Sequence, residues 1–361
     1  MENFINVDKN MIVNETIGDV EVTWYDVKKA PFKIHGLYNP ETEPFFHRMP
    51  FDVAAATSEG VEKLHQESAG GRVRFSTDSS YIAIRAKFRV VGRSSHITLV
   101  STSGFDLYID GEFGSRFVKE FRMPYDMVDS YEQIVHLDEG TMRSFTINMP
   151  VHAVVETLEV GLSPDAVVGE AKPYRDIKPI IFYGSSIVHG TAASRPGNVY
   201  PSIVSRDLNI DHLNVGFSGN AKGEPAIAEW MATLPMSIFV CDYDHNAPTA
   251  EHLKATHYNM YEIIRKKNPD VPYIMITRPN CWYAQKNFDD VMIHRDIIMS
   301  SYLKARNIGD KNVWFIDGMS FFADYRQNEY VIDGVHPQDA GFIRMAEGIG
   351  SVIKYILEKN S

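Results

Sequence analysis

Lys178-Pro179-Ile180-Ile181-Phe182-Tyr183-Gly184-Ser185-Ser186-Ile187-Val188-His189-Gly190 is the stretch whose reading decides the fold of this chain. Ile180 to Tyr183 form a short apolar run. Gly184 breaks it, and two serines follow. A buried strand ending in Gly-x-Ser lifts a hydroxyl to the top of a sheet, at the start of a turn into a helix. There a base can reach Ser186, and free backbone N–H groups face a developing oxyanion. The same triplet also suits a plain strand-to-helix turn with an N-cap serine, so the rest of the chain has to discriminate.

From Lys178 onward, apolar runs alternate with helical patterns. The runs Ile180–Tyr183, His212–Val215, Ser237–Cys241, Tyr273–Thr277 and Val313–Ile316 read as strands. The stretches Val199–Leu208, Pro225–Thr233, Ala250–Lys267, Asp289–Ala305 and Ala340–Leu357 read as helices. In the last, Met345, Ile349, Val352, Ile353 and Ile356 recur at helical spacing. Strands without polar alternation, joined by helices, predict an α/β domain: a parallel sheet of about five strands with helices on both faces. Ligands of such sheets bind at the carboxyl ends of the strands.

Residues 1–165 read differently. Tyr81–Val90 alternates, with Ile82, Ile84, Ala86, Phe88 and Val90 on one face and Arg85, Lys87 and Arg89 on the other. Further strands are expected at Val20–Tyr25, Arg72–Thr77, Ile97–Val100, Phe105–Ile109, Gln133–Leu137, Arg143–Met149 and Val154–Val160, with a hairpin turn at Asp110-Gly111. Many short strands at this spacing predict an all-β sandwich. The expected organisation is a β-sandwich over 1–165, a linker over 166–177 and an α/β domain over 178–361. His47, His65 and His96 are scattered through the first part and form no constellation.

Composition narrows the function. Hydrophobic residues make up 44% of the 361 and charged ones 23%, as in ordinary globular proteins. The formal charge of −11 argues against nucleic acid or anionic lipid as partner, since both need basic patches. Cys241 and Cys281 are far apart and no metal-ligand spacing occurs, so no metal and no cofactor are expected. No apolar run reaches membrane-spanning length and no secretory signal opens the chain, which predicts a cytoplasmic protein.

The residues that follow each strand carry the chemistry. They are Gly184-Ser185-Ser186, then Asn214-Val215-Gly216-Phe217-Ser218-Gly219-Asn220, then Asp242-Tyr243-Asp244-His245-Asn246, then Arg278-Pro279-Asn280-Cys281-Trp282-Tyr283. Asp333-Gly334-Val335-His336-Pro337 precedes the last helix. Serine is a poor nucleophile without a base. His336 can be that base, and Asp333, three residues earlier, can hold its Nδ1–H and aim Nε2 at Ser186. The N–H groups of Ser186 and Gly219 and the side-chain amide of Asn246 are candidate oxyanion donors. Each piece alone is also an ordinary turn or helix entry; four strand ends supplying them in order is the argument.

These blocks resemble those of the SGNH (GDSL) serine hydrolase superfamily, a flavodoxin-like α/β fold. The resemblance covers roughly 178–357 and implies Ser186 as nucleophile, Gly219 and Asn246 as oxyanion donors beside the Ser186 N–H, and Asp333 with His336 completing the triad. Ser185 stands where the first block usually has Asp, and the third block reads Asp-Tyr-Asp-His-Asn instead of Gly-x-Asn-Asp. A β-sandwich (jelly-roll-like) ahead of such a domain is similar to the two-domain carbohydrate acetylesterases of the superfamily, mannan acetylesterases among them, in which the sandwich clamps a sugar chain. The implied activity is removal of O-acetyl groups from an oligosaccharide, the expected partner. A lipid or thioester hydrolase and a non-catalytic carbohydrate-binding protein are the rivals. Trp282 and Tyr283 have faces that stack on a sugar, although Trp282 suits the rim or core equally. His189 can line the pocket or cap the turn. The sugar and the oligomeric state are not legible.

Overall fold

The computed structural model describes residues 17–18, 20–111, 114–137, 140–279, 288–324 and 326–359. Up to residue 169 it holds ten strands: β1 (Thr23–Asp26), β2 (Lys33–His35), β3 (Arg72–Thr77), β4 (Tyr81–Val90), β5 (Phe105–Gly111), β6 (Gly114–Phe121), β7 (Ser130–His136), β8 (Arg143–Asn148), β9 (Val154–Leu162) and β10 (Val168–Gly169). They form two antiparallel sheets, ordered β1-β9-β4-β7 and β10-β3-β8-β5-β6, with β2 added on β3. Between the sheets lie Val73, Phe75, Ile82, Ile84, Phe88, Phe105, Leu107, Phe145, Ile147 and Val160, all buried.

Local differences from the sequence reading have physical causes. Val90, expected on the inner face of β4, is 55% exposed. The register of β4 against β9 slips between Lys87 and Phe88 and again before Val90, and such a bulge turns the following side chains over. The stretch expected as a strand at Ile97–Val100 instead enters helix α3 (Leu99–Ser103), because the Thr98 hydroxyl caps it by accepting the Ser101 N–H at 3.1 Å. The β5–β6 hairpin turns later than Asp110-Gly111, which still pair with Ser115 and Gly114. Within the stretch expected as linker, Val168–Gly169 pairs with β3. Two short helices, α1 (Phe51–Thr57) and α2 (Glu59–Leu64), were not legible as such; Ser58 caps the second by accepting the Val61 N–H.

The remainder is an α/β unit. Strands β11 (Ile180–Gly184), β12 (His212–Gly216), β13 (Ile238–Asp242), β14 (Tyr273–Ile276) and β15 (Val313–Ile316) form a parallel sheet ordered β12-β11-β13-β14-β15. Helices α4 (Ser186–His189), α5 (Tyr200–Leu208), α6 (Pro225–Met231), α7 (Ala250–Lys267), α8 (Phe288–Asn307) and α9 (Asp339–Lys359) connect and cover it. Met345, Ile349, Ile353 and Ile356 of α9 are buried on one face with α5, as their spacing requires. The other face takes α6, α7 and α8, and also Met49, Ala54 and Val61 from the β-rich half. The two halves thus share a core.

This strand order places a topological switch point between β11 and β13, where connections leave in opposite directions and open a crevice. Gly184 pairs with Gly216 on one side and Asp242 on the other, so three strand ends finish at one rim. Among the described residues no helix is long and apolar enough to cross a membrane.

Candidate active site

Ser186 opens α4 directly after β11. The turn is tight: the Ser185 N–H donates to the Asp242 carbonyl at 3.1 Å, and the Ser185 hydroxyl caps the helix by accepting the Ile187 N–H at 3.2 Å. Gly184 is needed there, because a Cβ would overlap the Asp242 carbonyl and come within 2.5 Å of Val188 Cγ2. As the first residue of a helix, Ser186 keeps an N–H with no acceptor in the preceding turn.

His336 and Asp333 meet Ser186 from the loop before α9. His336 Nε2 lies 2.8 Å from Ser186 Oγ, and His336 Nδ1 lies 2.7 Å from Asp333 Oδ2. The loop is built to hold this pair. Asp333 Oδ1 accepts the backbone N–H of Val335 at 3.0 Å and of His336 at 2.8 Å, across Gly334 at φ +83°. Burial pushes the Asp333 carboxyl up, but the N–H and imidazole of His336 and the N–H of Val335 outweigh it, and the group sits below its ordinary value. It therefore stays an anion at neutral pH and fixes Nδ1 as the protonated nitrogen. Nε2 is then bare and can take the Ser186 proton.

The other two expected donors converge on the same rim. Gly219 has φ +70° and is exposed, with open space where a Cβ would stand. Asn246 sits on a short 3-10 turn after β13 and donates one amide hydrogen to the Phe217 carbonyl at 2.8 Å, leaving its second amide hydrogen over. The unusual third block is explained by its acids. Asp242 Oδ2 accepts the Tyr200 hydroxyl at 3.1 Å. Asp244 is buried and holds Arg278 Nη2 at 2.7 Å and His294 Nδ1 at 2.9 Å. Burial raises the Asp244 carboxyl, yet these partners hold it below the usual carboxylate range. The acids are internal ties that fix the turn carrying Asn246.

His189 corrects the sequence reading. It does not line a pocket: it ends α4 fully buried, because its ring is drawn inward between Glu67 and Ser218. Trp282 and Tyr283, like Cys281, lie outside the described residues. Cys241 is buried. Sequence reasoning missed what the β-rich half contributes. His96 Nε2 comes 3.9 Å from Asp333 Oδ2. Buried Arg48 donates to the carbonyls of Gly216 at 2.6 Å and Asn214 at 3.2 Å. Glu67 and His152 reach His189 and Thr191. None of these has a local motif; the Gly216-x-Ser218-Gly219 block marked only the loop they hold.

A hydroxyl, an imidazole and a carboxylate in this order can carry out acyl transfer through a covalent intermediate. Comparison with known proteins agrees. Residues 177–354 match the model of the GDSL-like lipase/acylhydrolase family, and residues 22–168 match that of the N-terminus of SGNH-hydrolase-type esterases. No curated protein matches the chain in sequence. Among solved structures, one described as a GDSL-like lipase from Bacteroides ovatus ATCC 8483 is 28% identical with a TM-score of 0.84, covering 94% of this chain and 98% of its own. The salicylyl-acyltransferase SsfX3 of a tetracycline biosynthetic pathway is 20% identical at 0.72, covering 91% and 95%. The acetyl xylan esterase Est2A of the rumen bacterium Butyrivibrio proteoclasticus is 12% identical at 0.58, covering 93% and 99%; the last two show likeness of fold. Residues 177–354 therefore belong to the GDSL-like lipase/acylhydrolase family, preceded over 22–168 by the N-terminal domain of SGNH-hydrolase-type esterases.

Proposed function

We propose that this hydrolase is a serine esterase that removes O-acetyl groups from a carbohydrate, with acetylated mannan-type oligosaccharides the first substrate to test. The observation that carries the reading is the 2.8 Å approach of His336 Nε2 to Ser186 Oγ, backed by Asp333. Ser186 Oγ attacks the acetyl carbonyl while His336 takes its proton. The oxyanion is met by the N–H of Ser186, the N–H of Gly219 and the free amide hydrogen of Asn246. The intermediate collapses, the sugar oxygen leaves with the proton from His336, and the acetyl group stays on Ser186. Water, deprotonated by His336, then releases acetate.

Support for a short acyl group and a sugar comes from likeness of fold. Structures that match this fold over more than nine-tenths of the chain include a family two carbohydrate esterase from Cellvibrio japonicus and the Butyrivibrio acetyl xylan esterase.

Hydrolysis of p-nitrophenyl acetate and octanoate, with acetate release from acetylated mannan, xylan and chitin fragments followed by mass spectrometry, tests the reading. The expected result is a kcat/KM at least about 10-fold higher for the acetate ester, abolished in Ser186→Ala. Preference for octanoate would make the enzyme a lipase, and turnover by Ser186→Ala would remove that residue from the reaction.

A further inference from the structure

At the other end of α4 from Ser186 lies a largely buried cluster shared by both halves of the chain. Glu67 Oε2 stands 2.9 Å from His189 Nε2 and 3.1 Å from His152 Nδ1. His152 Nε2 lies 3.2 Å from Thr191 Oγ1, which lies 3.2 Å from Ser218 Oγ. Ser218 closes the circuit: its N–H donates to His189 Nδ1 at 3.4 Å, and its Oγ lies 3.0 Å from the same nitrogen. Five side chains form one ring. Glu67 and His152 come from the β-rich half; His189, Thr191 and Ser218 come from the α/β unit.

The carboxylate sets the polarity of this ring. An ionised Glu67 only accepts, so His152 Nδ1 and His189 Nε2 must carry protons. Their other nitrogens are then bare. His152 Nε2 accepts a hydrogen bond from the Thr191 hydroxyl, and His189 Nδ1 accepts one from the Ser218 N–H. The Ser218 hydroxyl has two acceptors, Thr191 Oγ1 and His189 Nδ1. Electrostatics agree for His189 and Glu67. Burial, aided by nearby Arg48, pushes the His189 imidazole down to about 3, so it is neutral. Burial raises Glu67, but its bonds from His152 and His189 win and hold it well below the carboxylate range. The three ligand atoms of Glu67, His152 and His189 lie within 4.8 Å of one another, as around a divalent cation. However, His189 Nε2 also faces the Val151 carbonyl at 3.1 Å. A nitrogen between two oxygens is a donor carrying a proton, and it is not available to a metal.

What the ring grips is the loop just before Gly219. The Ser218 carbonyl is held separately, by Asn220 Nδ2 at 2.8 Å. Helix α2 of the β-rich half presses on that amide: a Cβ at Gly60 would overlap the Asn220 side chain. Because the peptide is planar and trans, fixing the Ser218 carbonyl fixes the Gly219 N–H on the opposite edge. A Cβ at Gly219 would meet open space, so no side chain packs over that face of the residue.

We infer that Glu67 and His152 are positioning residues of the β-rich half that set the oxyanion-binding geometry of Ser218-Gly219 through His189 and Thr191. The active site is thus assembled by both halves of the chain. The inference rests on the proposed role of Gly219.

The test is steady-state kinetics of the full chain on p-nitrophenyl acetate with Glu67→Ala, Glu67→Gln and Gly60→Ala. Glu67→Ala should lower kcat about 10- to 100-fold, with KM within about 3-fold and the pH dependence set by His336 unmoved. Glu67→Gln should recover to within about 5-fold of wild type, since one amide oxygen can accept from both imidazoles. Should Glu67→Ala fail to fold, Gly60→Ala displaces Asn220 instead and should lower kcat alone. Full kcat in Glu67→Ala, a loss carried by KM, or Glu67→Gln as impaired as Glu67→Ala overturns the inference. So does activity removed by a chelator and restored by Zn²⁺, which would make the cluster a cation site. A wild-type chain that releases no p-nitrophenolate sinks the esterase reading and this inference together; an active wild type beside an unaffected Glu67→Ala sinks the inference alone.

Discussion

Asn246→Ala separates a catalytic amide from a structural one, and its size follows from the bonds around it. One amide hydrogen goes to the Phe217 carbonyl at 2.8 Å. That carbonyl also accepts the N–H of Asn220 at 2.9 Å and of Ala221 at 3.2 Å. Losing the amide therefore leaves no orphaned acceptor, and the structural cost stays below about 1 kcal/mol. The turn itself is held independently, by the Asn246 N–H on the Tyr243 carbonyl at 2.9 Å and by Asp244 with Arg278 and His294. The second amide hydrogen is the one offered to the oxyanion, and its loss costs about 3 kcal/mol of barrier, or roughly 100-fold in kcat. Hydrolysis of p-nitrophenyl acetate should thus show kcat down about 100-fold with KM within about 3-fold and the melting temperature within a few degrees. Asn246→Asp should be worse than Ala, since a carboxylate repels both the Phe217 carbonyl and the oxyanion. A raised KM with kcat unchanged would assign Asn246 to ground-state binding and refute the reasoning.

Two further outcomes follow from the same geometry. Gly184→Ala forces a methyl between the Asp242 carbonyl and Val188 and should cost about 1–3 kcal/mol in urea unfolding; an unchanged midpoint would show that the β11 end can shift freely. Acid should destabilise the fold. Burial pushes His189 down to about 3 and His65 and His257 down to about 4, from an ordinary 6.5. Between about pH 4 and 6.5 the unfolded chain binds protons that the folded chain does not, so this stability is complete above 6.5 and lost as pH falls. Burial also holds His212 well below its ordinary value, which makes four such histidines; Asp106, which burial raises to about 6, and Asp242 and Asp207, which burial also raises, work in the opposite sense and reduce the net loss. Urea midpoints should be lower at pH 5 than at pH 7.5, and equal midpoints would refute the neutral histidines.

The parallel sheet was legible because its strands are continuous apolar runs and its helices are long enough to show their period. All five strands and the five helices expected between and after them fall where the residues placed them. Ser186, Asp333 and His336 were legible because each sits beside a turn signal at a strand end or before a helix. The β-rich half was less so, for physical reasons. Thr98 diverts an apolar run into a helix through one cap, and a bulge turns Val90 outward. Neither changes composition. Arg48, Glu67 and His152 were not legible at all, since their meaning lies in partners 39 to 168 positions away along the chain. His189 misled for the same reason: its neighbours in sequence suggested a pocket wall, and its neighbours in space are buried acceptors and donors.

These partners also decide how the two halves behave mechanically. Domain interfaces that are small and polar usually allow relative motion. Here an apolar core shared through Met49, Ala54 and Val61 is joined by polar contacts that are largely buried. Arg72, 2% exposed, pairs with Asp211 and donates to the His212 carbonyl at 3.1 Å, while His35 Nδ1 lies 2.9 Å from the same carboxylate. Fully buried Asp106 accepts the Gly197 N–H at 2.8 Å. Arg48 holds the Asn214 and Gly216 carbonyls. Parting the halves would give up these six hydrogen bonds to charged groups at about 1.5–3 kcal/mol each, on the order of 10 kcal/mol in all. That is comparable to the whole stability of a folded domain. The β-rich half is then a fixed wall of the site, with no swinging clamp, and calorimetry should give a single transition whose calorimetric and van't Hoff enthalpies agree. Two resolved transitions would mean that the halves let go of each other before either unfolds, and a wall that can leave cannot be what holds Ser218-Gly219 in place.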